Sequence, residues 1–171
     1  MLLPIITYPN KLLKTVSSDV AMFDEQLHTF LDNMYETMMS SNGIGLAAIQ
    51  VAMPIRALIL CIPDEEGNQE PTNILEIINP VIENTSGRMT YQEGCLSVPG
   101  FYEDIERYES LTLRYHNRHG AECTLEANDL LSIAIQHEMD HLEGKLFIDR
   151  LSYSRRKKFE KEHKKALKEK K

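Results

Sequence analysis

Residues 129–144 read DLLSIAIQHEMDHLEG, an apolar run that closes on four ionisable side chains within five positions. Asn128 ahead of it can cap a helix, and Gly144 with Lys145 suits the end of one. A helix is therefore expected from Asp129 through Leu142 or Glu143. Positions four apart on a helix differ by about 40° around the axis, so His137 and His141 project from one face about one turn apart. Ala134 and Leu130 continue that face backward with Ile133 close by, so the imidazoles stand at the end of an apolar stripe. Glu138 lies about 100° round from His137, near enough to reach a water beside whatever the imidazoles bind. The spacing H-E-x-x-H is the one metal hydrolases use: two neutral imidazoles bind and the neighbouring carboxylate moves protons. Short patterns of this kind also arise by chance on solvated helices. Here the helix is apolar enough to be buried, and two histidines, a glutamate and an aspartate inside it are costly unless they bind something.

Two imidazoles cannot hold a catalytic metal alone, and the third ligand separates the enzyme classes. An extended H-E-x-x-H-x-x-G-x-x-H motif, as in one class of endopeptidase, would need a histidine where this chain has Phe147. The downstream Glu160, Glu162 and Glu169 are scattered through a lysine-rich end, a poor address for a buried ligand, and Glu143 is too close along the same helix. The search moves upstream, to the cysteines at 61, 95 and 123, whose odd number and irregular spacing give no disulfide framework. Cys61 closes the apolar run RALILCIP and Cys123 lies in the alternating GAECTLEA; both read as strand filler. Cys95, in YQEGCLSVPG, sits at a loop edge and makes a poor core filler. It is the outstanding candidate. A thiolate and two imidazoles leave one tetrahedral position open for water, as a catalytic ion needs, whereas a structural zinc module would call for a fourth protein ligand.

Outward from this helix the chain looks like one domain. Its 171 residues are 42% hydrophobic and 26% charged, ordinary values for a globular protein able to bury a core without disulfides. No apolar run is long enough to span a bilayer, and the start, MLLPIITYPNKLLKTV, lacks the order of a secretory signal, so the cytoplasm and no membrane partner are expected. Residues 24–41 place Leu27, Phe30, Leu31, Met34 and Met38 at helical spacing. IRALILCI, ILEIINPVIENT and SLTLRYHN read as strands, with HGAECTLEA as hairpin partner of the last, and PDEEGNQEPTN as a surface loop. A last helix is expected from about Tyr153. Helices at front and back with strands between indicate an α+β class. Charge is uneven: residues 154–171 carry ten Lys/Arg against three Glu, leaving nine basic against twenty-three acidic side chains elsewhere. Composition alone favours a solvated helix for this basic end over contact with a polyanion.

Three stretches together resemble the motifs of peptide deformylase, in that family's order and at fitting separations: GIGLAAIQ (43–50), EGCLS (93–97) and QHEMDHLEG (136–144). The likeness covers most of residues 1–150 and thins toward the end. It implies mostly antiparallel strands packed around a central helix that carries H-E-x-x-H, with an N-terminal helix, a catalytic domain over residues 1–153 and a basic helical tail over 154–171. It also implies a hydrolase that removes the formyl group from the N-terminal formyl-methionine of new polypeptides and releases formate.

By resemblance, Cys95, His137 and His141 hold one divalent metal, Fe²⁺ for preference, with Zn²⁺, Ni²⁺ or Co²⁺ compatible with the same donors. Glu138 corresponds to the general base, while Gln50 and the backbone N–H of Leu96 correspond to donors for the developing oxyanion. Gly43, Gly45 and Gly94 are expected to let backbone approach a peptide laid alongside as an added strand. Ile44, Tyr91, Leu130, Ile133 and Ala134 match positions lining the family's methionine pocket. Asp129 and Ser132 depart from the usual Gly and Ala, and Tyr102 falls where some members have an arginine; Arg107 keeps a common basic position. Some members also contact the ribosome through a basic C-terminal helix, which makes ribosomal RNA an expected partner of residues 154–171.

Overall fold

A computed structural model describes residues 1–169; Lys170 and Lys171, the last two positions of the expected basic tail, lie outside the described residues. The elements in chain order are α1 (Glu25–Ser40), β1 (Gly45–Ala47), β2 (Ala57–Leu60), β3 (Leu75–Ser86), β4 (Met89–Cys95), β5 (Val98–Arg107), β6 (Ser110–His116), β7 (Glu122–Asn128), α2 (Asp129–Leu142) and α3 (Tyr153–Glu169). Every strand pairing is antiparallel. One sheet has the order β1-β2-β3-β6-β7, and β4 with β5 forms a separate hairpin. The class is α+β, as the sequence pattern indicates.

At its β1–β2 end the five-stranded sheet is covered on both faces, and β2 shows why its sequence is apolar throughout. Leu58 and Leu60 pack into a cluster with Ala134, Ile135 and Leu142 of α2. The alternate residues Ala57 and Ile59 pack with Leu27, Leu31, Met34 and Met38 of α1. Side chains alternate across a strand, so a strand buried on both sides reads as ALIL rather than as an apolar–polar alternation. The helix α1 begins where Asp24 caps it, the carboxylate accepting from the Leu27 N–H at 3.0 Å. Of the five apolar residues expected to face inward, four are buried and Phe30 is half-buried.

The start of α2 differs in detail from the sequence reading, while its end at Leu142 with Gly144 beyond is as expected. Asn128 stands at the cap position, but its side chain makes no capping bond and instead accepts from the Ser110 hydroxyl at 2.7 Å. Asp129 takes φ +52°, a left-handed conformation that costs most side chains about 1–2 kcal/mol and glycine almost nothing. Aspartate is among the few other residues that adopt it, since its short polar side chain can hydrogen-bond locally. At the far end Gly144 has φ +75°, and a Cβ there would stand 2.4 Å from the carbonyl oxygen of Lys14.

A third cluster ties the β4–β5 hairpin to the C-terminal helix: Val98, Ile105, Leu146, Phe147 and Ile148 pack with Phe159 of α3. Tyr8 and Phe101 make edge-on contacts with Phe159, with ring centroids 5.3 and 4.9 Å away. The basic helix is therefore docked by an apolar side, while Lys157, Lys158, Lys161, Lys164, Lys165 and Lys168 are exposed. No helix of the described residues is long and apolar enough to cross a membrane.

Cys123 is half-exposed, opposite Tyr115 in the β6–β7 pairing, rather than buried filler; Cys61 is fully buried. Gly144→Ala meets both a left-handed backbone and the Lys14 backbone, and should lower the unfolding free energy by roughly 2–4 kcal/mol in urea denaturation.

Candidate active site

A cleft of about 620 Å³ runs between the β1 end of the sheet and the β4–β5 hairpin, with one side of α2 facing it. Gly43, Ile44, Gly45, Gln50, Tyr91, Gly94, Cys95, Leu96, Leu130, Ile133, Ala134, His137 and Glu138 all line it. His141 does not; it is fully buried behind the lining. The structure thus brings every candidate residue to one place.

Cys95 ends β4, where the hairpin register jumps from Glu93↔Glu103 to Cys95↔Val98. Residues 99–102 of β5 are left out of register, and Cys95 turns toward α2. The donor atoms of Cys95, His137 and His141 all lie within 4.8 Å of one another, the one such cluster of His, Cys, Asp or Glu among the described residues. Cys95 Sγ is 3.5 Å from His141 Nε2. Metal–sulfur and metal–nitrogen bonds of about 2.3 and 2.0–2.1 Å at a tetrahedral angle put those atoms about 3.5 Å apart. The donors fit an ion of that size.

The charges around them favour a cation. Burial opposes a positive His137, yet the neighbouring Cys95, Glu93 and Glu138 outweigh it and raise the imidazole well above its ordinary range. Burial, with His137 beside it, holds His141 well below that range, as a neutral donor. Glu138 is pushed up to about 7, mainly by burial, with His137 opposing and Glu93 adding to the rise. Its Oε1 lies 3.8 Å from His137 Nε2, and its Oε2 is buried without a hydrogen-bond partner.

What holds His137 was not foreseen. Its Nδ1–H donates to Glu93 Oε1 at 2.8 Å, which turns Nε2 toward the other two donors. Arg107, only 2% exposed, grips Glu93 through two guanidinium nitrogens and donates to Asp140 at 3.0 Å. Arg150 closes the chain with two bonds of 2.7 Å to Asp140. Burial alone would raise both carboxylates, but these arginines hold Glu93 and Asp140 below the usual range. The only signal in the sequence was the presence of Glu93 beside Cys95 and of Asp140 inside an apolar helix. Neither names its partner.

The glycines that line the cleft also answer to packing. A Cβ on Gly45 would meet Leu60 at 2.7 Å and Glu138 Oε1 at 2.9 Å; one on Gly43 would meet Leu96, and one on Gly94 the ring of Tyr102. On the side a Cβ would take, the space beside them is filled by the protein's own side chains. Tyr102 itself is 65% exposed on the cleft wall.

A thiol and two imidazoles gathered beside a buried carboxylate, with a strand edge on the same cleft, are the donor set and proton carrier of the metal-dependent hydrolase class. Residues 2–157 match the family model described as polypeptide deformylase. The peptide deformylase of Wolinella succinogenes is 58% identical over 164 residues, covering 96% of each chain, and that of Helicobacter pylori is 56% identical over 170 residues, covering 99% of this chain and 98% of the relative. The crystal structure of a peptide deformylase from Legionella pneumophila superposes with a TM-score of 0.88 at 34% identity, covering 100% of this chain and 99% of the other. That from Ehrlichia chaffeensis in complex with actinonin gives 0.87 at 35% identity over 96% and 97%. The chain belongs to the polypeptide deformylase family.

Arg107→Leu would leave two buried carboxylates without their shared partner. It should cost about 3–5 kcal/mol of stability in chemical denaturation, whereas a loss below about 1 kcal/mol would mean the network is not what neutralises them.

Proposed function

We propose that this hydrolase, which removes the N-terminal formyl group from new polypeptides and releases formate, does so with Cys95, His137 and His141 as ligands of one divalent metal. The observation that carries the proposal is the convergence of those donors within 4.8 Å on a cleft lined by Glu138 and Gln50. A bound ion supplies Lewis-acid polarisation of the formyl oxygen and makes water nucleophilic near neutral pH. Fe²⁺ is the ion we assign, and Zn²⁺, Ni²⁺ and Co²⁺ suit the same mixed sulfur and nitrogen donors.

Glu138 takes the proton from the attacking water and returns it to the leaving nitrogen, so the departing group is an amine rather than an amide anion. Its unpartnered Oε2 is free for that transfer. Gln50 Nε2, 3.5 Å from Cys95 Sγ, points a donor to the same corner of the cleft, and Leu96, next to Cys95, offers its backbone N–H there. Preset donors of this kind stabilise the tetrahedral oxyanion by about 3–4 kcal/mol each.

The peptide lies along β1, an edge strand whose Gly43–Gly45 end lines the cleft, and pairs as an added strand without its sequence being read. Ile44, Tyr91, Leu130, Ile133 and Ala134 receive the methionine side chain. A formyl carbon carries only hydrogen, so the cramped space beside the donors accepts it and rejects larger acyl groups. A Met-Ala-Ser complex is known for the Acinetobacter baumannii peptide deformylase, which superposes with a TM-score of 0.82 at 30% identity.

Residues 1–153 form the catalytic unit and α3 is a basic appendage, cytoplasmic in setting, that meets ribosomal RNA through its exposed lysines. Because Phe159 is buried in the body, deletion of the helix would damage the fold as well. Reversing Lys157, Lys161, Lys164 and Lys168 to Glu leaves the apolar side intact. That variant should lose salt-sensitive co-sedimentation with ribosomes while keeping its activity on short peptides; unchanged co-sedimentation would remove the contact.

The decisive assay is anaerobic, on iron-loaded protein, with formyl-methionyl and acetyl-methionyl peptides. Formate release from the first and little reaction with the second is expected; equal cleavage or internal cuts would defeat the assignment. Glu138→Ala should keep the metal and lose turnover, and Cys95→Ala should lose both.

A further inference from the structure

We propose that Ser97 is a positioning residue that, together with the Ala47 backbone N–H, holds the nitrogen end of the Gln50 carboxamide toward the cleft. This rests on Gln50 acting as an oxyanion donor. A carboxamide turned by 180° fits the same space but would present its oxygen to the developing negative charge, replacing attraction with repulsion. Gln50 is 1% exposed and Ser97 fully buried, so water cannot set the choice.

The surrounding groups leave one orientation. The Ala47 backbone N–H can only donate, and it does so to Gln50 Oε1 at 2.9 Å. The Ser97 hydroxyl could by itself donate or accept. Its single proton, however, goes to the Ile6 carbonyl at 2.8 Å. Toward Gln50 it therefore offers only lone pairs, and the Gln50 Nε2 group donates to it at 3.1 Å. One amide hydrogen is thereby engaged, and the other is left to point toward Cys95 Sγ, 3.5 Å from the nitrogen. The polarity runs from a backbone carbonyl through one hydroxyl to the catalytic amide.

The N-terminal segment that supplies this carbonyl is strapped to both partners. Ile6 N–H donates to the Gln50 carbonyl at 2.8 Å and Tyr8 N–H to the Ser97 carbonyl at 2.7 Å. The strap keeps Ile6, Ser97 and Gln50 at fixed spacing, which is what a polar relay of this kind needs.

The test is a double-mutant cycle on formyl-methionyl peptide hydrolysis by the metal-loaded enzyme. Ser97→Ala should lower kcat about tenfold, the rate equivalent of one lost hydrogen bond, with KM and metal content little changed. In a Gln50→Ala background the same change should have no further effect. A slow Gln50→Ala enzyme in which Ser97→Ala still costs its full factor would overturn the role of Ser97 alone. Gln50→Ala at the wild-type rate would overturn the donor reading and this proposal with it. A readout free of any variant is the exchange of the Gln50 side-chain amide protons in zinc-loaded wild-type protein, followed by NMR. One proton slow and one fast is expected. Two protons exchanging equally would contradict the assignment.

Discussion

The burial of charge on α2 is the constraint to which the rest of the molecule answers. His137, Glu138, Asp140 and His141 are all buried on a helix whose other buried side chains are Ser132, Ile133, Ala134, Ile135, Gln136 and Leu142. Isolated, such groups would be expelled or neutralised. Here His137 and Asp140 are compensated from other parts of the chain: Glu93 from β4, Arg107 from β5 and Arg150 from the turn after α2. The β4–β5 hairpin thus supplies the carboxylate that orients His137, the guanidinium that neutralises that carboxylate, and the thiol that joins the two imidazoles. A buried ion chain is weak evidence for stability in itself, but losing one member leaves the others uncompensated, and this fixes the hairpin against the helix.

The same arrangement separates the tasks of the site. The five-stranded sheet, packed between α1 and α2 at its β1–β2 end, presents β1 as an edge beside the cleft, where an extended chain can lie. The hairpin forms the opposite wall and α2 bears the reacting groups. Gly45 lets Glu138 stand directly behind the strand edge, since a Cβ would approach its Oε1 to 2.9 Å. Packing thereby sets the strand edge and the Glu138 carboxylate at a fixed distance, which the proposed mechanism uses for substrate binding and proton transfer. This is the kind of preorganisation on which transition-state stabilisation depends.

Much of this was legible in the sequence because it rests on periodicity. The helical spacing of Leu27, Leu31, Met34 and Met38, the continuous apolar ALIL and the pairing of SLTLRYHN with HGAECTLEA each report a local pattern, and each corresponds to an observed element. The β4–β5 hairpin was not legible: Gly94, Pro99 and Gly100 interrupt its alternation, and its register jump follows no local rule. The ligand atoms could be chosen by chemical type. The partners Glu93, Arg107 and Asp140 could not, since ion pairs at separations of 14 and 33 residues leave no spacing signature. The docking of α3 escaped for a similar reason. One buried aromatic, Phe159, in a lysine-rich helix gives no periodic stripe, yet Tyr8 and Phe101 meet it.

The account stands on three side chains, distant in sequence, sharing one ion that keeps a place for water. X-ray absorption at the metal edge of the zinc-loaded protein measures this directly. One sulfur at about 2.3 Å, two imidazole nitrogens at about 2.0–2.1 Å and one exchangeable light atom is the predicted shell. A shell without sulfur, or one closed by four protein ligands, would contradict it.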